Sequence, residues 1–409
     1  MARFFCVDPA GPCRARRPGP RGTGWGLEKR QGVGDRLDVV RMAARQRGLR
    51  ALLVSTPANT YYLTGFRAVT YTRPVILVLT DEPVLVIPEL EAAHAQSRSW
   101  VRDIRTYSDL QLGGLAGKSP LHLALDLAVE VLHAQGVTAA GFEPGGLTYE
   151  GHAYLREAFR RVRPIGGLVE ERRMVKDEGE LALIRKGCVL AEHGMAVEVD
   201  ASTVGTGEIA IMAEGNAAML REAAKRFPDD EVSAESRPVS GEKTVLPHSI
   251  PSGRTLHAGD VVIHGTGCAV NGYYSEDERT IFVERASAEQ RRYFEVMLRA
   301  QEAALATIRP GIPCRDVDRA ARGVIEEAGL GAAFIHRTGH GIGIDYHELP
   351  FFAPGDETVL APGMVMSVEP GIYIAGVGGF RHSDTVVVTA EGCETLTAYP
   401  KDLDSLIVG

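Results

Sequence analysis

Glu276 and Glu278 stand two residues apart in the stretch VVIHGTGCAVNGYYSEDERTIFV, which runs from Val261 to Val283. Paired carboxylates on one strand face can hold a metal ion, position a cation or exchange a proton. Asn271-Gly272 is the local reason they would share a face. It lies between two runs of strand-forming residues, and both positions of a tight two-residue turn need φ > 0, which Asn and Gly tolerate. With the turn there, Val270 faces Tyr273, Gly265 faces Glu278 and Gly267 faces Glu276. Side chains alternate along a strand, so Glu276, Glu278 and Thr280 fall on one face, opposite glycines that leave room above the sheet. The same spacing also suits a solvated hairpin at a sheet edge, and the motif by itself leaves both readings open.

A third group with useful chemistry is His248, in the Pro- and Ser-rich loop that leads into the hairpin (EVSAESRPVSGEKTVLPHSIPSGRTLHAGD). Histidine titrates near neutrality, so it can activate water as a base and protonate a leaving nitrogen as an acid. A C–N bond can be hydrolysed that way without a metal. Carboxylates beside it would raise its pKa and hold a cationic or hydrogen-bond-donating substrate. Taken alone, a lone histidine is more often a hydrogen-bonded structural residue.

The elements that position these groups follow from the pattern on either side. From residue 35 the chain alternates strand and helix signals. RLDVVRMAARQRGL has helical spacing and ends on Gly48. RALLVST, PVILVLTD, EPVLVIP, DIRTYSD and TAAGFEP read as strands, and ELEAAHAQSRSW, LHLALDLAVEVLHAQG and GHAYLREAFRR as helices. That alternation predicts a small α/β domain over residues 35–165. From Glu170 the texture changes to helices in runs and strands in runs, an α+β pattern assigned to residues 166–409. There ERRMVKDEGELALIRKGCVLAEHGMAVEV reads as one long amphipathic helix, and a second helix follows from about Gly207 to Phe227.

The chain has 409 residues, 44% of them apolar and 24% charged, and a formal net charge of −8. That balance gives no global attraction to nucleic acid or an anionic membrane. The longest apolar stretch, Pro74 to Pro88, is broken by Asp81, Glu82 and Pro83, so no transmembrane helix is expected. Six scattered cysteines show neither a zinc spacing nor a disulfide framework, which predicts reduced thiols and a cytoplasmic protein. Residues 1–34, rich in Arg, Pro and Gly, are expected to be a disordered extension, or the product of a start codon placed too far upstream.

Five ordered motifs, AGDVVIHGTG, NGYYSEDERT, GHGIGIDYHELP, GMVMSVEPGIYI and GGFRHSDTVVVT, resemble those of the creatinase, prolidase and methionine aminopeptidase superfamily. The resemblance covers roughly residues 35 to 405. It implies a pita-bread catalytic domain preceded by a smaller creatinase-type α/β domain. The peptidases of this family hold two metals on Asp, Asp, His, Glu and Glu. Those positions fall here on Gly265, Glu276, His340, Glu369 and Ser383. Glycine offers no ligand and a neutral serine is a poor substitute for a bridging carboxylate, so the dinuclear mechanism is rejected. Glu276, His340 and Glu369 leave room for a single divalent metal.

The strand GYY followed by Glu278-Arg279-Thr280 resembles metal-free creatinase, and the resemblance implies His248, Glu278 and Glu369 as catalytic residues. It further implies substrate contacts from His340, His347 and Arg381. Tyr71 and Arg73 would reach the site from the partner subunit of a homodimer with composite active sites. Phe351 stands where creatinase has an arginine, and HELP is closer to the peptidases. The leading expectation is therefore a metal-independent hydrolase of a C–N bond in a small, carboxylated substrate, with no cofactor. The alternatives are a mononuclear metal-dependent Xaa-Pro-type dipeptidase or aminopeptidase, a non-catalytic binding member of the superfamily, and a lyase using the same base.

Overall fold

The computed structural model describes residues 33–69, 72–110 and 117–409. The expected extension lies outside them up to residue 32, and so does Tyr71.

The first domain is a six-stranded sheet in the order β4-β3-β2-β1-β5-β6. The strands are β1 (Leu52–Val54), β2 (Ile76–Leu79), β3 (Val84–Pro88), β4 (Asp103–Tyr107), β5 (Ala139–Phe142) and β6 (Arg161–Pro164). Its central strands read as unbroken apolar runs because both faces are covered. Leu52, Val54, Leu77, Leu79, Leu85 and Ile87 enter a core with α1 (Val33–Gln46) and α2 (Pro57–Thr64). The alternate residues Leu53, Ile76, Val78, Val84 and Val86 meet α4 (Pro120–Ala134) and α5 (Tyr149–Ala158) on the other side. A short α3 (Ala92–Arg98) follows β3. The helix α2 has no counterpart in the sequence reading. Six of its eight residues are buried, so no polar face marks it.

The core on the α2 side does not stop at the domain boundary. It continues through Leu181, Leu183, Ile184, Ile342 and Val365 of the second domain, which fixes the two units against each other. The segment predicted as one long helix from Glu170 is two helices, α6 (Glu170–Arg173) and α7 (Glu178–Ala201). Asp177 makes the break. Its side chain accepts the Glu180 N–H, and Glu180 accepts the Asp177 N–H in return. This capping box satisfies donors only at a helix start. Just before it, the Lys176 N–H bonds Gly363 O at 2.9 Å, pulling the chain out of helix.

In the second domain α7 and α8 (Glu208–Arg226) come first. The strands are β7 (Val232–Ser236), β8 (Val239–Ser240), β9 (Val261–Val270), β10 (Tyr273–Tyr274), β11 (Asp277–Val283), β12 (Gly339–Gly341), β13 (Glu348–Phe352), β14 (Val365–Val368), β15 (Gly371–Ile374), β16 (Gly378–Arg381) and β17 (Ser383–Val388). One sheet follows the path β10-β9-β11-β17-β14-β12-β13, with β7 and β8 on the free side of β9. α9 (Ala288–Thr307) and α10 (Cys314–Glu327) bury Phe294, Met297, Val317 and Ala321 against Phe282, Met366 and Phe380 of the sheet region. The Phe282 and Phe294 rings meet edge-on at 5.6 Å. Each such side chain contributes about 1.5–3 kcal/mol by burial. Among the described residues no helix is long and apolar enough to cross a membrane.

Candidate active site

The hairpin forms with the expected register. Asn271 and Gly272 have φ of 47° and 80°, and Tyr273 pairs with Val270 and Glu278 with Gly265. Asn271 is doubly tied: its Oδ1 accepts the Glu231 N–H and its Nδ2 donates to Asp230. The hairpin is not a solvated edge. β9 and β11 lie inside the sheet, and Glu276 and Glu278 are buried at 2% and 8% exposure. Neither glycine opposite faces open space. A side chain on Gly265 would press on the Glu278 side chain at 3.2 Å from Oε1, and one on Gly267 would strike the main-chain Ser275 O at 2.8 Å.

Strand ends and loops bring the remaining groups to this face. Glu369 directly follows β14, Arg381 ends β16, Ser383 opens β17, His340 lies on β12 and His347 precedes β13. The cleft between them has a volume of about 600 Å3 and is lined by His248, Glu276, Glu278, His347, Glu369 and Arg381, among others. His340 lies fully buried behind it, its ring 3.8 Å from that of His347. The structure thus gathers His248, Glu278, Glu369, His340, His347 and Arg381. Arg73 does not join them: it pairs with Asp109 at 2.6 Å and lines no part of its own chain's cleft.

His340 Nδ1 lies 3.0 Å from Gly341 O, which can only accept, so Nδ1 carries a hydrogen. Nε2 then points at Glu276 and Glu369, at 3.5 and 3.4 Å, buried and without a hydrogen bond. A neutral ring would aim a lone pair at two carboxylates, so the geometry calls for a positive charge at this nitrogen, as a proton or a metal ion. Burial opposes the charged form of His340, but the Glu276 and Glu369 carboxylates outweigh it and push the pKa up to about 10. Glu276 is likewise opposed by burial, yet His340, Ser383 and Ser367 hold it well below the usual carboxylate range. Its Oε1 accepts from Ser367 and Ser383, so Ser383 acts as a donor where the family pattern has a ligand.

Glu278 is held differently. The Arg381 guanidinium grips both its oxygens, with Nη2 at 2.6 Å from Oε1. Arg381 Nη1 reaches Tyr373 OH at 3.0 Å and Pro247 O at 3.2 Å. His336 Nδ1 must donate to Arg337 O, so its Nε2 accepts from Tyr373, whose hydroxyl in turn accepts from Arg381. Burial pushes Glu278 up to about 7, Arg381 working against it and Glu276 and Glu369 adding to the rise. His347 moves the other way, down to about 4, through burial and the nearby His340. Tyr373, His336 and Tyr346 were not singled out from sequence. Tyr373 sits in GIYI, but nothing in that strand marks its hydroxyl as bound.

Two dinuclear positions fail, since Gly265 has no side chain and Ser383 donates its hydrogen to Glu276. One ion fits. Glu276, His340 and His347 bring ligand atoms within 4.8 Å of one another, as do Glu276, Glu278 and Glu369. With Glu278 ionised, three carboxylates face one guanidinium, and a divalent cation beside neutral His340 balances them. With Glu278 protonated, its pKa being about 7, a protonated His340 balances the site by itself.

The His347 loop is anchored from below. Glu348 lies between Arg173, whose Nη2 is 2.5 Å away, and Lys176 Nζ at 2.8 Å, all buried. Arg173 also donates to Asn59 of the first domain. Burial opposes the Glu348 charge, but Lys176 and Arg173 bring its pKa below the ordinary value. Glu348→Gln should lose about 2 kcal/mol, less than a full buried-pair break because Asp345 still faces Arg173. A depressed carboxylate stabilises above its unfolded pKa and loses that contribution as pH falls through its folded pKa. Urea unfolding should therefore show the full deficit at pH 7 and a shrinking one below about pH 4.3.

Comparison with known proteins gives this geometry a family. Residues 36–175 match the Creatinase/Prolidase N-terminal domain, and residues 182–390 match Metallopeptidase family M24. The Xaa-Pro dipeptidase of Pyrococcus furiosus is 30% identical over 375 residues, covering 90% of this chain and 99% of that one. The structure of an Xaa-Pro dipeptidase from Bacillus anthracis superimposes with a TM-score of 0.81 at 28% identity, over 91% of this chain and 99% of that one. Dipeptidase PepE from Mycobacterium ulcerans gives 0.80 at 30% identity, over 92% and 98%. The chain belongs to metallopeptidase family M24, as a hydrolase similar to Xaa-Pro peptidases.

Proposed function

We propose that this protein hydrolyses the C–N bond of a small Xaa-Pro-type dipeptide, using one divalent cation held by Glu276, His340 and Glu369. The observation that carries this reading is His340 Nε2, buried, unbonded and facing two carboxylates. Relatives named as Xaa-Pro dipeptidases weigh toward the peptidase alternative and away from the metal-free one. When bound, such an ion supplies positive charge beside the scissile carbonyl oxygen. The remaining work falls to the chain. Ser367 and Ser383 fix the Glu276 carboxylate. Glu278, with a pKa of about 7, takes a proton from the attacking water and returns it to the leaving nitrogen. Arg381 holds Glu278 in place, and His248 and His347 border the substrate. Arg73 could act only across a dimer.

A second reading, metal-independent hydrolysis by His248, Glu278 and Glu369, draws on Gly265, on Ser383 and on the Glu278–Arg381 pair. With Glu278 ionised, the negative charge left without a metal calls for a cationic substrate such as a guanidino compound. Elemental analysis of the purified protein, with an Xaa-Pro panel under Mn²⁺, Co²⁺ or Zn²⁺, separates the two. A single bound ion and metal-restored dipeptide cleavage are expected. Turnover that survives exhaustive chelation would give the site to the second reading.

A further inference from the structure

We propose that Arg237 is the anchor for the substrate's free carboxylate, which makes the enzyme selective for substrates ending in an acid at that subsite. The inference rests on the reading of the cleft as a dipeptide site. Arg237 lines the cleft and hydrogen-bonds through its main-chain N–H to Gly265 O at 2.8 Å. A side chain on Gly265 would begin 3.9 Å from Arg237 Cβ. The Arg237 side chain therefore starts beside the strand position that faces Glu278.

The other arginine of the cleft is spent. Arg381 is 8% exposed, and its Nε, Nη1 and Nη2 are all engaged by Glu278, Tyr373 and Pro247. Arg237 differs on each count. Its side chain is 58% exposed, and its Nε and Nη2 both point to a single oxygen, Glu235 Oε1. Nη1 makes no hydrogen bond among the described residues. Glu235 is itself 49% exposed. An exposed ion pair contributes little, so a substrate carboxylate can replace Glu235 at small cost. It would meet a planar fork that suits two parallel hydrogen bonds. Glu235 thus acts as a resident stand-in for the ligand. Among the described residues Arg237 and Arg381 are the arginines that line the cleft, and Arg73 is held by Asp109.

The test uses the full chain loaded with Mn²⁺ and two probes that cannot be cleaved. They are Ala-Pro with its peptide carbonyl reduced to methylene, as the free acid and as the C-terminal amide, titrated calorimetrically. The wild type should bind the acid about tenfold more tightly or better, the worth of a charge-assisted contact. Arg237→Met should weaken the acid to the level of the amide and leave the amide unchanged. Glu235→Gln, which removes the competitor, should tighten the acid about two- to fivefold and not the amide. Arg237→Lys keeps the charge and should retain part of the preference; with Glu235→Gln it carries the test if the Met variant fails to fold. An acid preference that survives in Arg237→Met, or is absent from the wild type, overturns the proposal. If the wild type binds neither probe, the dipeptide reading fails and this assignment falls with it.

Discussion

Glu276→Gln is expected to lower bound divalent metal to background and to reduce kcat/KM on an Xaa-Pro dipeptide by about 10³-fold. The substitution keeps the shape of a side chain that is 2% exposed, so it tests charge more than packing. Glu276 is the member common to both groups of close ligand atoms, and it is fixed by two serine donors on one oxygen while the other faces His340. An amide cannot accept at both positions and carries no charge to hold a cation. His340 would lose the partner that does most to push its pKa up to about 10, and Glu369 would be left to face it alone. Glu278→Gln should behave otherwise: metal content close to wild type, with turnover lost because the proton carrier is gone. Metal analysis and steady-state kinetics on the two variants decide the matter as a pair. If Glu278→Gln is inactive while Glu276→Gln keeps much of its activity and has no metal to lose, the metal-free reading is the correct one.

What could be read from the sequence and what could not divide along a physical line. The hairpin register was legible because Asn271-Gly272 fixes both turn positions and the period of a strand does the rest. The first domain's strands were legible because two covered faces leave apolar runs. The helix α2 was not, since six of its eight residues are buried and amphipathicity has nothing to contrast. The single helix expected from Glu170 failed for a related reason. Helical spacing continues through the break, and only the Asp177–Glu180 capping box and the Lys176 bond to Gly363 end one helix and start the next. At the site, ligand positions were found by motif, including the two that have lost their carboxylates. Their consequences were not visible. Gly267 looked like open space and is filled by backbone, whereas Ser383 looked like a missing ligand and is a donor to Glu276. Arg381 is expected from the motif as a substrate contact, and the fold gives it to Glu278 instead, because β16 and β11 meet only in three dimensions. Arg237 and Tyr373 carry no local signal at all. Their roles come from which strand they stand beside.

Arg381→Met should destabilise the protein by about 3–5 kcal/mol, and the double variant Arg381→Met/Glu278→Met should recover most of that loss without recovering activity. The pair is buried, at 8% exposure for each partner, and gripped through both carboxylate oxygens. Removing the guanidinium leaves the Glu278 carboxyl desolvated and close to Glu276 and Glu369 with no cation of its own, so it must either bear an uncompensated charge or take up a proton. It also frees the Tyr373 hydroxyl and Pro247 carbonyl from their shared donor. Replacing both partners with apolar side chains removes the stranded charge and retains volume, which is why a buried pair can be exchanged whole at little loss. Urea unfolding at pH 7 measures the two steps, and kcat/KM on the same samples keeps stability apart from chemistry. The pH dependence supplies the sign. Glu278 has a pKa of about 7 with Arg381 opposing the effect of burial, so in the single variant it must rise further. A raised carboxylate destabilises fully above its folded pKa, and the penalty is relieved as pH falls toward the unfolded value of about 4.3. The deficit of Arg381→Met should therefore shrink from pH 8 to pH 5, whereas the double variant, which has no Glu278 to titrate, also escapes the wild type's own penalty and should gain stability relative to it as pH rises from 5 to 8. A single variant as stable as the wild type, or a double variant weaker than the single, would show that Glu278 is not held as a charge by Arg381.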